Sequence, residues 1–483
     1  MFAITVALAF SATPILATSD PYSSSELDTI KGYFFKNVDV DGTGAVIAAP
    51  SDNHPDYSYH WMRDGAISIN VAYTLLKNEQ AMKDYLNWAL TKTMTANDPN
   101  GVDIRGEPKF YMDGRAYDKP WGRPQNDGSA LRAIAMINYA NDLIKAGKMS
   151  QVKGVLYDSD GTKPGIKFDL EFIAHNWQDN CFDLWEEVNG DHFFTKMVQR
   201  KALAMGARLA TALGDDGAAT YYKQQVSAIE GPIKAHWDSQ NGVIKATMAP
   251  HPGPQKYMEL DSAIHLGVLY GYDDDGFYAP NDPQATLLFH GDLSLGDYSM
   301  IIHDLKEVMY TDGMYPINAA DDNKGIKGFL VGRYPNDTWD GYESGSVGNP
   351  WILCTQALAE LQYRAATEIM HEQEHKGLDH ILVANETEQF FRGILLPRGY
   401  NGKVDAGRKV HAASTALALV EDADALLARV KFHIKGKNFR MYEQLNLDTG
   451  FEQGANDLTW SYGTLFGALA ARKTAIESLQ GSA

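Results

Sequence analysis

The chain has 483 residues, 44% of them apolar and 22% charged, enough to bury a sizeable core. Its 43 basic and 62 acidic residues leave a net charge of -19, with no basic block to offset it, so nucleic acid and anionic membrane surfaces are excluded as partners. Nine Trp and 25 Tyr supply flat amphipathic faces that suit both core packing and stacking on neutral sugars.

Residues 2–10 are a short apolar run, followed by small residues as far as Ser19, the outline of a secretory signal peptide. Residues 1–19 are therefore expected to be a signal peptide, and 20–483 a single catalytic domain of a secreted, extracellular protein. No other apolar run approaches the ~18–20 residues that span a bilayer. Helical spacing of apolar residues predicts helices over 64–79, 81–94, 128–146, 195–213 and 216–230. Further helices are predicted over 260–270, 295–311, 351–371, 412–430 and 457–479. Asp127, Asn349-Pro350 and Asp457 stand where start signals belong. Alternating Val/Ile/Thr runs are few, so the chain is all-α. Long loops, 97–127, 177–194, 239–259 and 312–350, recur after about every second helix. That rhythm fits a toroid of inner and outer helices whose long loops line one mouth.

Cys181 and Cys354 make at most one disulfide, and Cys354 reads as a buried helical thiol. Asn336-Asp-Thr338 and Asn385-Glu-Thr387 are glycosylation sequons that an exported chain can use if they are exposed. His371-Glu372-Gln-Glu-His375 has the two imidazoles and the glutamate of a zinc-protease helix. The extended zinc pattern needs Gly three and His six residues beyond His375, whereas Gly377 and His380 fall at two and five. A solvated helix end is expected there, with no metal and no cofactor. Asp39-Val-Asp41-Gly and Asp273-Asp-Asp-Gly276 lack the closing Glu of a calcium loop and read as turns.

The densest chemical signal is Asp183-Leu184-Trp185-Glu186-Glu187-Val188. Hydrolysis of a glycoside needs one carboxylic acid to protonate the leaving oxygen and a second carboxylate across the sugar. A Trp beside a Glu, within a cluster of like charge, is the environment that keeps an acid protonated. Adjacent glutamates diverge on any backbone, so Glu186 and Glu187 have different tasks. An arbitrary Trp-Glu-Glu would more often be an acidic helix start.

Other blocks accompany this string in order: Tyr57-Ser-Tyr-His-Trp61-Met-Arg63-Asp64, Gly106-Glu-Pro-Lys-Phe110, Trp121-Gly-Arg-Pro-Gln125-Asn-Asp-Gly128, Gly332-Arg333-Tyr-Pro-Asn-Asp337-Thr, Asn349-Pro-Trp351-Ile-Leu-Cys354, Glu452-Gln453 and Asp457-Leu-Thr-Trp-Ser-Tyr462. Together they resemble glycoside hydrolase family 15, the glucoamylases, over about residues 57–462. The resemblance implies an (α/α)6 barrel and an exo-acting, inverting α-glucosidase. Such an enzyme releases β-D-glucose from the non-reducing ends of starch, glycogen and maltooligosaccharides, as a monomer without a cofactor. It implies Glu186 as general acid and Glu452 as general base, with Glu443 as the alternative base and Asp183 supporting the acid. Arg63, Asp64, the Leu184 carbonyl, Glu187, Arg333 and Asp337 would serve the sugar hydroxyls, and Tyr57, Trp61, Trp121 and Trp185 would wall the pocket.

Departures from the pattern are Cys181 in place of Gly or Pro, a longer segment 339–348, and one residue fewer between Glu452 and Asp457. No starch-binding domain is expected after the last helix. Competing readings are trehalose or α-1,6-glucan hydrolysis on the same fold, a zinc metallopeptidase built on His371, Glu372 and His375, and an inactive sugar-binding protein.

Overall fold

Ser23 opens the first helix, α1 (Ser24–Asn37): its hydroxyl accepts from the Glu26 amide while the Glu26 carboxylate accepts from the Ser23 amide. This reciprocal cap reads in the sequence as Ser-x-x-Glu, but α1 buries only Ile30, Phe34 and Asn37, too thin a stripe to be predicted from periodicity. The computed structural model describes residues 20–238, 240–241, 243–273, 313–377, 379–383 and 387–481. The expected signal peptide, the expected helix 295–311, most of the turn at 273–276 and the sequon at Asn385 lie outside the described residues.

The other long helices are α2 (Met62–Thr74), α3 (Glu79–Thr91), α4 (Gly128–Lys145), α5 (Ile166–Asn176), α6 (Phe193–Leu213), α7 (Asp216–Lys234), α8 (Ser262–Gly271), α9 (Ile352–Lys376), α10 (Glu388–Leu395), α11 (Ala412–Ile434) and α12 (Thr459–Gly481). Six of them close a ring, in which α2 packs on α4, α4 on α6, α6 on α8, α8 on α9, α9 on α12, and α12 back on α2. Outside it, α3 lies on α2, α5 on α4 and α6, α7 on α6, α11 on α9 and α12, and α1 on α12. This is the expected (α/α)6 toroid.

Burial follows from place in the ring. The outer helix α3 buries one stripe, Ala81, Met82, Tyr85, Leu86, Trp88 and Ala89, at helical spacing. The inner helix α6 is covered on several sides and buries even Lys196, Gln199 and Arg200. Close approach between inner helices needs small residues: a Cβ at Gly271 of α8 would lie 2.6 Å from Met197 Cβ and 2.9 Å from its carbonyl oxygen on α6. Between α4 and α5 the charges are paired rather than omitted, Arg132 reaching both Asp169 oxygens at 2.7 and 2.8 Å.

The mouth of the toroid lies where inner helices begin. Antiparallel two-stranded ribbons feed it: β1 (His60–Trp61) with β2 (Lys109–Phe110), β3 (Cys181–Phe182) with β4 (Asn189–Gly190), β5 (Trp237–Asp238) with β6 (Val243–Ile244). Two more pair β7 (His380–Leu382) with β8 (Lys409–His411), and β9 (Gln444–Leu445) with β10 (Glu452–Gln453). Trp61, Trp351 and Leu458 stand at or just before the first turns of α2, α9 and α12, so those N-termini face one cavity.

Both cysteines are buried free thiols. No described helix is long and apolar enough to cross a membrane. His371 and His375 are exposed near the C-terminal end of α9, which Gly377 caps in the left-handed conformation. His375 Nδ1 lies 3.0 Å from the His371 carbonyl. Among the described residues no three His, Cys, Asp or Glu side chains are grouped to hold a metal ion.

Candidate active site

The turn between β3 and β4 carries the acidic string. The Asp183 amide donates to the Val188 carbonyl (2.9 Å) and the Glu186 amide to the Asp183 carbonyl (2.9 Å), which folds Asp183–Val188 back on itself. Asp183 Oδ1 accepts from the Glu187 and Val188 amides at 2.8 and 2.9 Å, and Lys256 Nζ stands 3.5 Å from Oδ2. Burial would raise the Asp183 carboxyl, but Lys256, His192 and the two amides hold it below the usual carboxylate range. The ionised form of Asp183 is thus favoured, and its carboxylate fixes the turn from behind. Glu186 sits at its tip with φ +68°, a left-handed conformation that costs a non-glycine residue roughly 1–2 kcal/mol. Its side chain is thereby carried away from Asp183 into the cavity.

Three N–H donors meet the Glu186 carboxylate. Trp61 Nε1 (2.7 Å) and Gln125 Nε2 (2.9 Å) donate to Oε1, and Trp121 Nε1 (2.9 Å) donates to Oε2. Arg63 Nη2 stands 3.8 Å from Oε1. Oε2 has one donor and lies beside the exposed Trp121. The loop bearing Trp121 and Gln125 is stapled by Arg123, which donates to Glu107 (2.5 Å) and to the Tyr117 (2.7 Å) and Lys119 (2.9 Å) carbonyls.

Arg63 and Asp64 enter through the first turn of α2. Arg63 Nη1 donates to Gln125 (2.9 Å) and Asp127 (3.1 Å), so Asp127, expected as the cap of α4, is turned to this arginine and makes no cap hydrogen bond. Burial pushes Asp64 up to about 6 against the pull of Arg63. On the facing wall Arg333 donates to Glu187 (2.8 Å) and to both oxygens of Asp337 (2.8 and 2.6 Å). The Tyr334 hydroxyl donates to the other Glu187 oxygen. Trp185, Trp351 and Trp460 close the floor, with Trp185 and Trp460 stacked at 6.4 Å.

Glu443, just before β9, lines the same cavity as Glu186. The Tyr57 hydroxyl (2.9 Å) and Trp339 Nε1 (3.3 Å) donate to its Oε1, while its buried Oε2 has no hydrogen-bond partner among the described residues. Gly454, with φ +75°, makes room for that oxygen: a Cβ there would fall 2.3 Å from it. Burial pushes the Glu443 carboxyl up to about 7, with Tyr57, Trp339 and Arg333 opposing. The Tyr57 ring lies 5.5 Å from the Trp61 ring, so two aromatic side chains link the partners of Glu443 to those of Glu186. Both glutamates line one cavity of about 350 Å³, closed by indoles at one end, a size suited to a small polar ligand.

Residues 36–469 match the model of the family described as "Glycosyl hydrolases family 15". The chain belongs to glycosyl hydrolase family 15. It is 34% identical to a glucoamylase of Blastobotrys adeninivorans, covering 94% of this chain and 71% of that one. It is 31% identical to a probable glucoamylase of Schizosaccharomyces pombe, over 96% and 94%. The glucoamylase structure from Saccharomycopsis fibuligera superposes with a TM-score of 0.75 at 29% identity, covering 94% of this chain and 95% of that one.

Within this family frame, ten of the expected site residues line the cavity: Tyr57, Trp61, Arg63, Asp64, Trp121, Leu184, Trp185, Glu186, Glu187 and Arg333. Asp183 and Asp337 are buried behind it, each holding a residue that does line it. Glu452, expected as the general base, is not among the residues that line the cavity. It sits on β10 opposite Leu445, outside the cavity lining, among Lys437, Arg440 and Asp457. Burial pushes its carboxyl up to about 8, so it stays protonated at neutral pH. Glu443, the alternative, lines the cavity together with Glu186 and Glu187. Gln125, Trp339 and Trp460 were not assigned from the sequence, although Gln125 and Trp460 lie inside the blocks that carry the resemblance.

Proposed function

We propose that this chain is an exo-acting, inverting α-glucosidase that releases β-D-glucose from the non-reducing ends of starch, glycogen and maltooligosaccharides, with Glu186 as general acid and Glu443 as general base. The observation that carries the reading is one cavity in which two of the lining carboxyl groups, those of Glu186 and Glu443, stand in unlike settings. Three N–H donors surround Glu186 and stabilise the anion it becomes on giving up a proton. Glu443 is desolvated and accordingly avid for a proton.

A terminal glucosyl ring seated on the indole floor would meet Arg63, Asp64, the Leu184 carbonyl and Arg333 at its hydroxyls. Glu186 protonates the glycosidic oxygen as the C1–O bond breaks. The Glu443 carboxylate removes a proton from the water that attacks C1 on the opposite face. The new C1–O bond has the inverted configuration, and the shortened glucan departs from the open side. The floor makes the cut exo: a chain cannot thread past Trp185, Trp351 and Trp460. The apolar N-terminal run supports secretion.

Glucose release from a panel of substrates tests the assignment. Maltotriose and soluble starch are expected to exceed isomaltose and trehalose by about tenfold or more in kcat/KM. Faster turnover of trehalose or isomaltose would overturn the α-1,4 preference.

Tyr57→Phe isolates the base electrostatically. The tyrosine hydroxyl favours the ionised Glu443, so its loss raises the proton affinity of that carboxyl further. Because the base works only when ionised, the acid limb of kcat/KM moves to higher pH by about one unit, the equivalent of one hydrogen bond to a charged group. An acid limb that stays in place, or moves down, would remove Glu443 from the role.

A further inference from the structure

Lys109 on β2 lies directly opposite Trp61 on β1, so the two side chains project from the same face of the ribbon. Its ammonium is enclosed by aromatic faces, with Nζ 3.6 Å from the ring centre of Trp121, 4.1 Å from Tyr59, 4.3 Å from Tyr117 and 4.4 Å from Trp61. Those rings contact one another in a closed circuit: Tyr59 to Trp61 (6.1 Å), Trp61 to Trp121 (5.9 Å), Trp121 to Tyr117 (5.7 Å) and Tyr117 back to Tyr59 (5.2 Å). This is the arrangement that recognises ammonium ligands, here filled from within by a lysine that is 2% exposed. No carboxylate forms an ion pair with Lys109 among the described residues. Yet two of the four rings, Trp61 and Trp121, turn their N–H edges onto the two oxygens of Glu186.

We propose that Lys109 is a positioning residue for the acid: its ammonium clamps both indoles by their faces, in the orientation that aims both N–H groups at the Glu186 carboxylate. This rests on Glu186 being the acid. A cation against the indole face also draws electron density from the ring, which makes the N–H a better donor. Burial lowers the Lys109 ammonium to about 8, while Glu186 and Asp56 favour its charge and Arg123 and Lys119 oppose it. It is therefore charged through the acidic and neutral range. An uncharged side chain of similar length would fill the same volume but give no clamp and no field.

Lys109→Met tests this, with kcat, KM and the pH dependence of kcat/KM for maltotriose as readouts. Removing a positive charge beside a carboxyl disfavours its ionised form, so the alkaline limb, where the acid loses its proton, moves to higher pH. The expected result is a kcat lower by about tenfold, a smaller change in KM, and that upward shift. Tyr117→Leu opens one wall of the box without touching Glu186, and moves the same two readouts in the same direction to a lesser extent. Lys109→Met protein that folds and keeps the parent kcat, or loses kcat with the alkaline limb unmoved, would overturn the proposal and leave Lys109 as packing. If Lys109→Met does not fold, Tyr117→Leu decides by the same criteria. Failure is separable from failure of the functional reading, because an active Glu186→Gln enzyme would defeat that reading whatever Lys109 does.

Discussion

Glu443→Gln is expected to lower kcat on maltotriose by about 10²–10⁴, while Glu452→Gln stays within about threefold of the parent. In the proposed mechanism the Glu443 carboxylate takes the proton from the attacking water, and an amide nitrogen in place of one oxygen has no lone pair to accept it. The amide can keep its oxygen toward Tyr57 and Trp339, so the cavity retains its shape and KM changes little. Glu452 makes no contact with the cavity, and its carboxyl, pushed up to about 8 by burial, is already uncharged at neutral pH. Its amide therefore resembles the native state electrostatically. Steady-state kinetics of the two variants side by side check this. Equal losses, or a larger loss in Glu452→Gln, would reverse the assignment of the base.

Glu186→Gln is expected to reduce kcat by a similar factor for the opposite reason: the amide cannot deliver a proton to the glycosidic oxygen. Its nitrogen also meets a donor whichever way it turns. With the amide oxygen toward Trp61 and Gln125, the nitrogen faces Trp121 Nε1–H, so that hydrogen bond is lost. Oligosaccharide affinity, measured calorimetrically, should fall by no more than about tenfold, the worth of one hydrogen bond. A variant that turns over at near-parental rate would remove Glu186 from the mechanism.

The two glutamates differed in how far the sequence could place them. Asp183–Glu187 is a local turn, and its carboxylates, its Trp and its neighbouring blocks stand together in the chain. Arg63 and Asp64 were likewise legible, because they follow Trp61 into the first turn of α2. The base was not. Glu443-Gln444 and Glu452-Gln453 are the same dipeptide on opposite arms of one ribbon, and the register sets Gln444 against Gln453. Only the placement of that ribbon on the barrel decides which glutamate meets Tyr57 and Trp339. Gln125 was missed for a related reason, since its partners, Arg63 and Glu186, are 62 and 61 residues away. Among the helices, strongly periodic ones such as α4 and α6 were readable. By contrast, α1 has a thin buried stripe, and α5 follows Gly165 with no side-chain cap. The ring was expected from the alternation of short and long connections and from the family resemblance, and the packing order of the six inner helices supplied it.

The central claim, an acid and a base acting through water, is tested most directly by the anomeric form of the first product. Water attacking C1 from the face opposite the leaving group converts an α-linkage into a β-hemiacetal in one step. Proton NMR during the first minutes of maltotriose hydrolysis should show the β-glucose H1 signal growing ahead of the α signal, before mutarotation mixes them. Initial α-glucose, or a glucosyl ester trapped on Glu443, would mean that the second carboxylate attacks C1 itself and would contradict the account.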